Sequence, residues 1–360
     1  MKEILLKTSR IILLAGLLSC QGKSGTAEDR NVVAPDPDKT VVCFLYHRFG
    51  DARFPSTNTS TVDFEAHLRY LEEGRFRVLS FSDAMDYLHS EEPMAKVAVI
   101  TIDDGYMSFY ERGLPLLKKY NMPATLFINT ETVGASDYMG WEELTTAIGD
   151  GIEVGNHSHS HRYFMNEDES IRYDVFESDI IRSKEIISEK LGITPEVFAY
   201  PYGEFDNEMK RVVKKVGFKY AATQQSGVVH AGSDPYQIPR YPMSETYAGL
   251  AGFAEKASMR PLKITRQVPD NTVLPPADPQ PLLQLTIQNE GLQTSRLQCF
   301  VQGGDCELKI TEENAEKLVI TVRAKGDLSR RRTMYTVTVP DNTGVWHWYS
   351  HLWINNGVPD

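Results

Sequence analysis

KVAVITIDDGY (residues 96–106) passes from a β-rich run directly into two carboxylates and a glycine. Similar short runs recur on either side: VVCFLY (41–46), FRVLSF (76–81), ATLFIN (124–129), IEVG (152–155), VFAYP (197–201) and KYAAT (219–223). Helical patterns lie between several of them. STVDFEAHLRYLEEG (60–74) has a polar cap and then Phe64, Leu68 and Leu71 at helical spacing. SFYERGLPLLKKYN (108–121) and SDIIRSKEIISEKLG (178–192) are amphipathic in the same way, and EFDNEMKRVVKKVG (204–217) ends on the glycine that often closes a helix. Repeated strand–helix units imply an α/β fold with parallel strands, either a barrel or a doubly wound sheet. In both, reactive groups gather beyond the C-terminal ends of the strands.

Polar residues do follow the strands. Asp103-Asp104-Gly105 follows KVAVITI, His47 follows VVCFLY, Pro201-Tyr202-Gly203 follows VFAY, and GNHSHSHRYF (155–164) follows IEV. That last stretch puts three of the nine histidines into five residues. A carboxylate and two imidazoles make a three-ligand set for a catalytic divalent metal with a position left for water. A second carboxylate beside it can accept the water's proton. If the histidine stretch stays extended, His157, His159 and His161 share a face. If it turns helically after Gly155, His157 and His161 face one way and His159 the other. The composition, with Gly-Asn breaking the strand after IEV, favours the turn.

TIDDGYMSFYERGLPLLKKYNMPATLFI (101–128), GNHSHSH and AYPYG (199–203) together resemble the motifs of the polysaccharide deacetylases, carbohydrate esterase family 4. The likeness is greatest to the poly-N-acetylglucosamine deacetylase branch and covers roughly residues 40–260. It implies a deformed (β/α)-barrel and a divalent metal, most often zinc, held by Asp104, His157 and His161. It also implies Asp103 as general base, the Tyr202 backbone N–H as an oxyanion donor and His47 as proton donor to the leaving amine. The family's third motif usually begins with an Arg that orients the base, but Ala199 stands there; Arg240, in QIPRYPM (237–243), is the candidate replacement. Trp141, in YMGWEEL (138–144), resembles a recurring groove tryptophan, and Tyr106 and Tyr200 are assigned to substrate binding on similar grounds. His230 lies in a polar turn and reads as solvated.

The two ends carry other information. Lys2, Lys7 and Arg10 precede IILLAGLLSC (11–20), which resembles a bacterial lipoprotein signal (1–20) with Cys20 as the lipidated residue. The polar stretch 21–39 then reads as a tether to the membrane. Gln21, where an Asp would favour the inner membrane, points to the outer membrane of a two-membrane bacterium. The expected setting is therefore an exported, lipid-anchored protein at the outer membrane, periplasm or cell surface. VPDNTVLPPADPQP (268–281), with five prolines, reads as a linker between a deacetylase domain (40–267) and a small β-sandwich (282–360). Within the sandwich, Cys299 and Cys306 flank a Gly-Gly turn and are expected to form a disulfide closing a hairpin. The tryptophans of VWHWYSHLWI (345–354) alternate with polar residues, which favours a core strand over exposed aromatics that stack on sugar rings.

A formal charge of −11 and the lack of a basic run exclude nucleic acid as a natural partner. They favour a neutral polymer, or one that becomes cationic on reaction. The resulting expectation is a metal-dependent N-deacetylase acting on an acetylated amino-sugar exopolysaccharide. The alternatives are a peptidoglycan or chitin-oligomer deacetylase, an O-acetyl esterase, and a non-catalytic carbohydrate-binding lipoprotein. Oligomeric state is not legible.

Overall fold

Every residue of Val97–Asp104 is buried, as expected of a strand at the centre of a sheet covered on both faces. The computed structural model describes Met1 and residues 36, 38–244 and 247–359. The signal-like segment, Cys20 and nearly all of the expected tether lie outside the described residues.

In chain order the N-terminal part contains β1 (Thr40–Tyr46), β2 (Arg48–Phe49), β3 (Asn58–Thr59), α1 (Thr61–Glu73), β4 (Arg77–Leu79), α2 (Phe81–Leu88), β5 (Val97–Asp104), α3 (Leu114–Lys119), β6 (Ala124–Ile128), α4 (Trp141–Gly149) and β7 (Ile152–Asn156). It continues through α5 (Arg172–Leu191), β8 (Val197–Ala199), α6 (Asn207–Lys215), β9 (Tyr220–Ala222), β10 (Val228–His230), β11 (Tyr241–Pro242) and α7 (Leu250–Ser258). Helix boundaries follow the caps in the sequence. Ser60, Ser80 and Asp206 accept the first free backbone N–H groups of α1, α2 and α6, and Gly192 ends α5 in the left-handed conformation.

The strands form one curled sheet in the order β10-β1-β5-β6-β7-β8-β9, parallel from β1 to β9. A short segment brings its two ends together. Ile238 bridges Ala222 of β9, while Tyr241 and Pro242 pair with Phe44 and Leu45 of β1. The result is a deformed (β/α)-barrel, as the motifs imply. Its core is the paired inner and outer faces of these strands, with Cys43 buried among them.

The remainder is two four-stranded sheets. One runs β12 (Arg260–Pro261), β19 (Trp346–Ile354), β18 (Arg332–Pro340), β15 (Gln298–Val301). The other runs β13 (Ile264–Val268), β14 (Leu283–Gln288), β17 (Lys317–Ala324), β16 (Cys306–Glu313). They enclose a separate core of Leu285, Ile320, Val337 and Trp353 among others. Three sequence expectations change here. First, β12 and β13 already belong to these sheets, so the sandwich begins near residue 260 rather than 282. The expected linker 268–281 is strapped to the body: Thr272 and Leu274 are buried and Val273 bridges Ile354. Second, Cys299 and Cys306 are bonded (S–S 1.98 Å) across the tight turn in which Val301 bridges Gly304, as expected, but β15 and β16 belong to different sheets, so the bond also joins the two layers. Third, Trp353 is a core residue while Trp346 and Trp348 are only part-buried and pack towards the barrel, with Trp348 edge-on to Tyr241.

Barrel and sandwich share a hydrophobic cluster in which Leu352 and Ile354 meet Tyr200, Phe205 and Met209. Beside it Arg331 grips Glu204 through two hydrogen bonds of 2.6 and 2.8 Å, both side chains almost wholly buried. Arg332 adds a third at 3.0 Å. Losing one partner of such a pair strands the other charge out of water. Arg331→Ala is therefore expected to cost about 3 kcal/mol of unfolding free energy, read by denaturant titration. A change within experimental error would mean that the clamp does not hold the two parts together.

Candidate active site

The barrel rim receives its chemistry from consecutive residues at the end of β5. Asp103 stays in the strand and its carboxylate is fully buried inside the barrel. Asp104 takes a positive φ of 73°, followed by Gly105 at 77°. A non-glycine residue in that region is strained, and the turn aims its carboxylate along the rim instead of inward.

Arg240 holds Asp103 with two parallel bonds, Nη1–Oδ1 of 2.7 Å and Nη2–Oδ2 of 2.8 Å. Its own remaining donors reach the Thr223 carbonyl at 2.9 Å and the Thr101 hydroxyl at 3.1 Å. Both charged side chains are excluded from solvent. Burial alone would raise the Asp103 pKa, but the Arg240 charge, His157 and the Arg240 hydrogen bonds outweigh it and hold it at about 2. The carboxylate is thus ionised at neutral pH and fixed in orientation. Arg240 occupies the orienting position that Ala199 cannot fill.

The histidine loop adopts neither conformation considered from the sequence. β7 runs on through Asn156, and the chain then turns by left-handed residues, Ser158 at φ 68° and His161 at 47°, without a helix. The effect is nonetheless to separate the histidines. His157 and His161 face Asp104, while His159 turns away and its Nδ1 pairs with the Thr130 hydroxyl at 2.8 Å. The loop is braced by residues that sequence reasoning missed. Asp179 of α5 accepts the backbone N–H groups of His159 and Ser160, at 2.6 and 3.2 Å, and the Asn156 side chain ties the Ser158 N–H to the Ile180 carbonyl. Asp179 lies outside every motif, and Asn156 reads in the sequence only as a strand breaker; the fold brings α5 beneath the loop.

Three donor atoms converge: His157 Nε2, His161 Nε2 and Asp104 Oδ1, separated by 3.2, 3.3 and 3.6 Å. Ligand atoms about 2.1 Å from a tetrahedral ion lie roughly 3.4 Å apart. Asp104 Oδ1 is buried and has no hydrogen-bond partner among the described residues, which a cation would supply. His157 donates its Nδ1–H to the Ala199 carbonyl at 2.8 Å, which leaves the Nε2 lone pair for a metal. Burial, reinforced by His157, presses the His161 pKa down to about 4, so this ring too is a neutral ligand at pH 7. The residues present fit a divalent ion. Asp103 Oδ2 lies 3.9 Å from His157 Nε2, next to this corner but not part of it.

His47 follows β1 half-buried, near enough for its charge to act on both Asp103 and His161. Tyr202 stands in the left-handed conformation at φ 58°, its ring stacked on Tyr163 at 3.6 Å and 4.5 Å from His161. Tyr106 is half-buried beside Asp104, with the Arg48 guanidinium 3.5 Å over its ring. Trp141 opens α4 and packs against the barrel core. Tyr200 corrects the sequence reading: its ring is wholly buried in the cluster shared with the sandwich and its hydroxyl donates to the Tyr236 carbonyl at 3.1 Å, so it cannot touch a substrate. His230 stays outside this group, on β10, its Nδ1 accepting the Gly232 N–H.

Residues 90–221, which span β5 to β9, match the polysaccharide deacetylase family. The chain carries a polysaccharide deacetylase domain. Among the relatives of this domain is the poly-beta-1,6-N-acetyl-D-glucosamine N-deacetylase of Staphylococcus aureus (strain MRSA252), 26% identical over 212 residues, which are 56% of this chain and 73% of that protein. The structure of IcaB from Ammonifex degensii superposes with a TM-score of 0.54 at 25% identity, over 61% of this chain and 97% of that one. The BpsB deacetylase domain from Bordetella bronchiseptica shares the fold, with a TM-score of 0.51 at 21% identity over 58% of this chain and 98% of that one.

The three histidines of the deacetylase domain make an internal comparison. His157→Ala and His161→Ala are each expected to abolish stoichiometric binding of a divalent ion, measured by elemental analysis after dialysis, and His159→Ala to retain it. Loss of the ion in His159→Ala would overturn the ligand assignment.

Proposed function

We propose that this protein is a metal-dependent N-deacetylase that removes acetyl groups from an N-acetylglucosamine-containing exopolysaccharide and releases acetate. The observation that carries the reading is the pairing at one rim of a buried, ionised, Arg-held carboxylate with a separate Asp–His–His donor set. Asp104, His157 and His161 would hold the ion, with zinc the expected metal for a neutral-imidazole and carboxylate set. When bound, such an ion supplies Lewis acidity towards an acetamide carbonyl and makes water acidic enough to lose a proton near neutral pH.

The chain's own residues divide the remaining work. Asp103, kept ionised by Arg240, takes the water's proton in this reading. The Tyr202 backbone, held by the left-handed turn over His161, offers its N–H to the developing oxyanion. His47 gives a proton to the departing amine, so that the C–N bond breaks to acetate and a free amino sugar. The relative named above as acting on poly-beta-1,6-N-acetyl-D-glucosamine supports that polymer class for this chain. A net charge of −11 is compatible with a neutral substrate that turns cationic as it is deacetylated. Export and lipid attachment through Cys20 belong to the same proposal and put the enzyme where such a polymer is found.

The test is acetate release from a panel of N- and O-acetylated glycans. Wild-type protein is expected to prefer N-acetylglucosamine polymers, and Asp103→Asn to lower the rate about a thousandfold while keeping the metal. Selective release from O-acetyl esters, or glycan binding with no acetate released under any divalent ion, would refute the proposal.

A further inference from the structure

We propose that the sandwich face turned towards the barrel is a glycan-binding subsite, which holds sugar residues of the polymer next to the one being deacetylated. This rests on the reading of the protein as a glycan deacetylase. Side chains alternate along β18. Tyr335, Val337 and Val339 enter the sandwich core, so Arg332, Met334, Thr336 and Thr338 face the other way. The strand register extends that face sideways. Phe300 of β15 lies opposite Thr336, and Trp348 and Trp346 of β19 lie opposite Thr338 and Pro340.

Near β19's far end this face is closed by Leu352 and Ile354 packing on the barrel. Between that end and Phe300 the face and the barrel leave a groove of about 570 Å³, with Thr336 and Thr338 buried in its floor. That volume is in the range of ligand sites. The opposite wall is barrel rim. Gln224 packs so closely on Gly203, the residue after Tyr202, that a Cβ there would lie 2.6 Å from the Gln224 Cβ. Pro242 pairs with Leu45, two residues before His47. Arg332, at the head of the β18 face, lies 5.6 Å from the Tyr202 ring. Gln224 and Pro242 thus tie the groove's barrel wall to the segments that carry Tyr202 and His47.

Its chemistry suits a neutral, hydroxyl-rich chain. Amides and a hydroxyl come from Gln224, Ser226, Gln298 and Gln302, while Thr336, bonded to Ser350, and Thr338 are buried in the floor. The groove's charges, Glu255 and Lys256, are of opposite sign and adjacent in sequence, so neither a polyanion nor a polycation is favoured. Phe300 is 52% exposed, a large aromatic face that the fold leaves in water, and Trp346 sits in the same lining. Aromatic faces of this kind stack on the C–H faces of pyranose rings.

The experiment is calorimetric titration of the chelator-treated protein with β-1,6-linked N-acetylglucosamine disaccharide and with longer oligomers. Longer oligomers are expected to bind more tightly than the disaccharide, and Phe300→Ala and Trp346→Ala each to weaken the longer oligomer about tenfold. Ile310→Ala, exposed on the other sheet, should match the parent. Unchanged oligomer affinity in both aromatic variants, or equal weakening in Ile310→Ala, would overturn the subsite. Acetate release on the same proteins separates the two proposals. Phe300-dependent binding without acetate release sinks the deacetylase reading and leaves the groove. Acetate release that shows neither chain-length preference nor dependence on Phe300 sinks the groove and leaves the deacetylase.

Discussion

The segment from Ile238 to Pro242 closes the barrel, and it does so around a buried ion pair. Ile238 joins β9, Tyr241 and Pro242 join β1, and Arg240 between them reaches across the interior to Asp103 on the central strand. A guanidinium and a carboxylate removed from water are tolerable only when each satisfies the other and their spare hydrogen-bonding positions are filled. Thr101 and the Thr223 carbonyl fill those of Arg240. Closure of the sheet and the fixing of the ionised Asp103 carboxylate are consequently one event. A barrel that failed to close would leave Asp103 without the charge that holds it ionised.

The rest of the rim is organised by backbone strain that the fold over-determines. Asp104, Ser158, His161 and Tyr202 all adopt positive φ without being glycine. Each lies at or beside the donor set, and each is fixed by neighbours: Asp179 and Asn156 under the histidine loop, and the Glu204–Arg331 clamp next to the Tyr202 turn. Such strain is characteristic of sites that must present groups in one geometry before a ligand arrives. The clamp also means that the C-terminal sandwich helps fix the turn at Tyr202. The sandwich is thereby coupled to the rim that carries the donor set rather than carried alongside it.

Much of this was legible because strand ends announce themselves. The alternation of β-rich runs and amphipathic helices points to parallel strands, and the polar residues just after those runs mark the rim where Asp103, Asp104, His157 and His161 meet. What escaped reading was long-range or conformational. Nothing local shows that Ile238 pairs with Ala222, that Asp179 supports the histidine loop, or that the loop turns through left-handed residues rather than a helix. Tyr200 looked like a groove residue because it adjoins Pro201-Tyr202-Gly203, but its side chain points to the opposite side of the strand end, into the core. The proline-rich stretch suggested a free linker, yet β12 and β13 precede it in the sandwich sheets, so the chain crosses between layers there. The short spacing of Cys299 and Cys306 shows that they staple the turn between them, but the sheet membership that makes the same bond a link between layers is invisible in the sequence.

The central claim is that Asp104, His157 and His161 serve a divalent ion used for amide hydrolysis beside Asp103. The most direct measurement is acetate release from poly-β-1,6-N-acetylglucosamine by one preparation before chelation, after chelation and after return of a divalent ion. Activity lost with the ion and regained with it is the expected result. Undiminished release after verified removal of the ion would contradict the account.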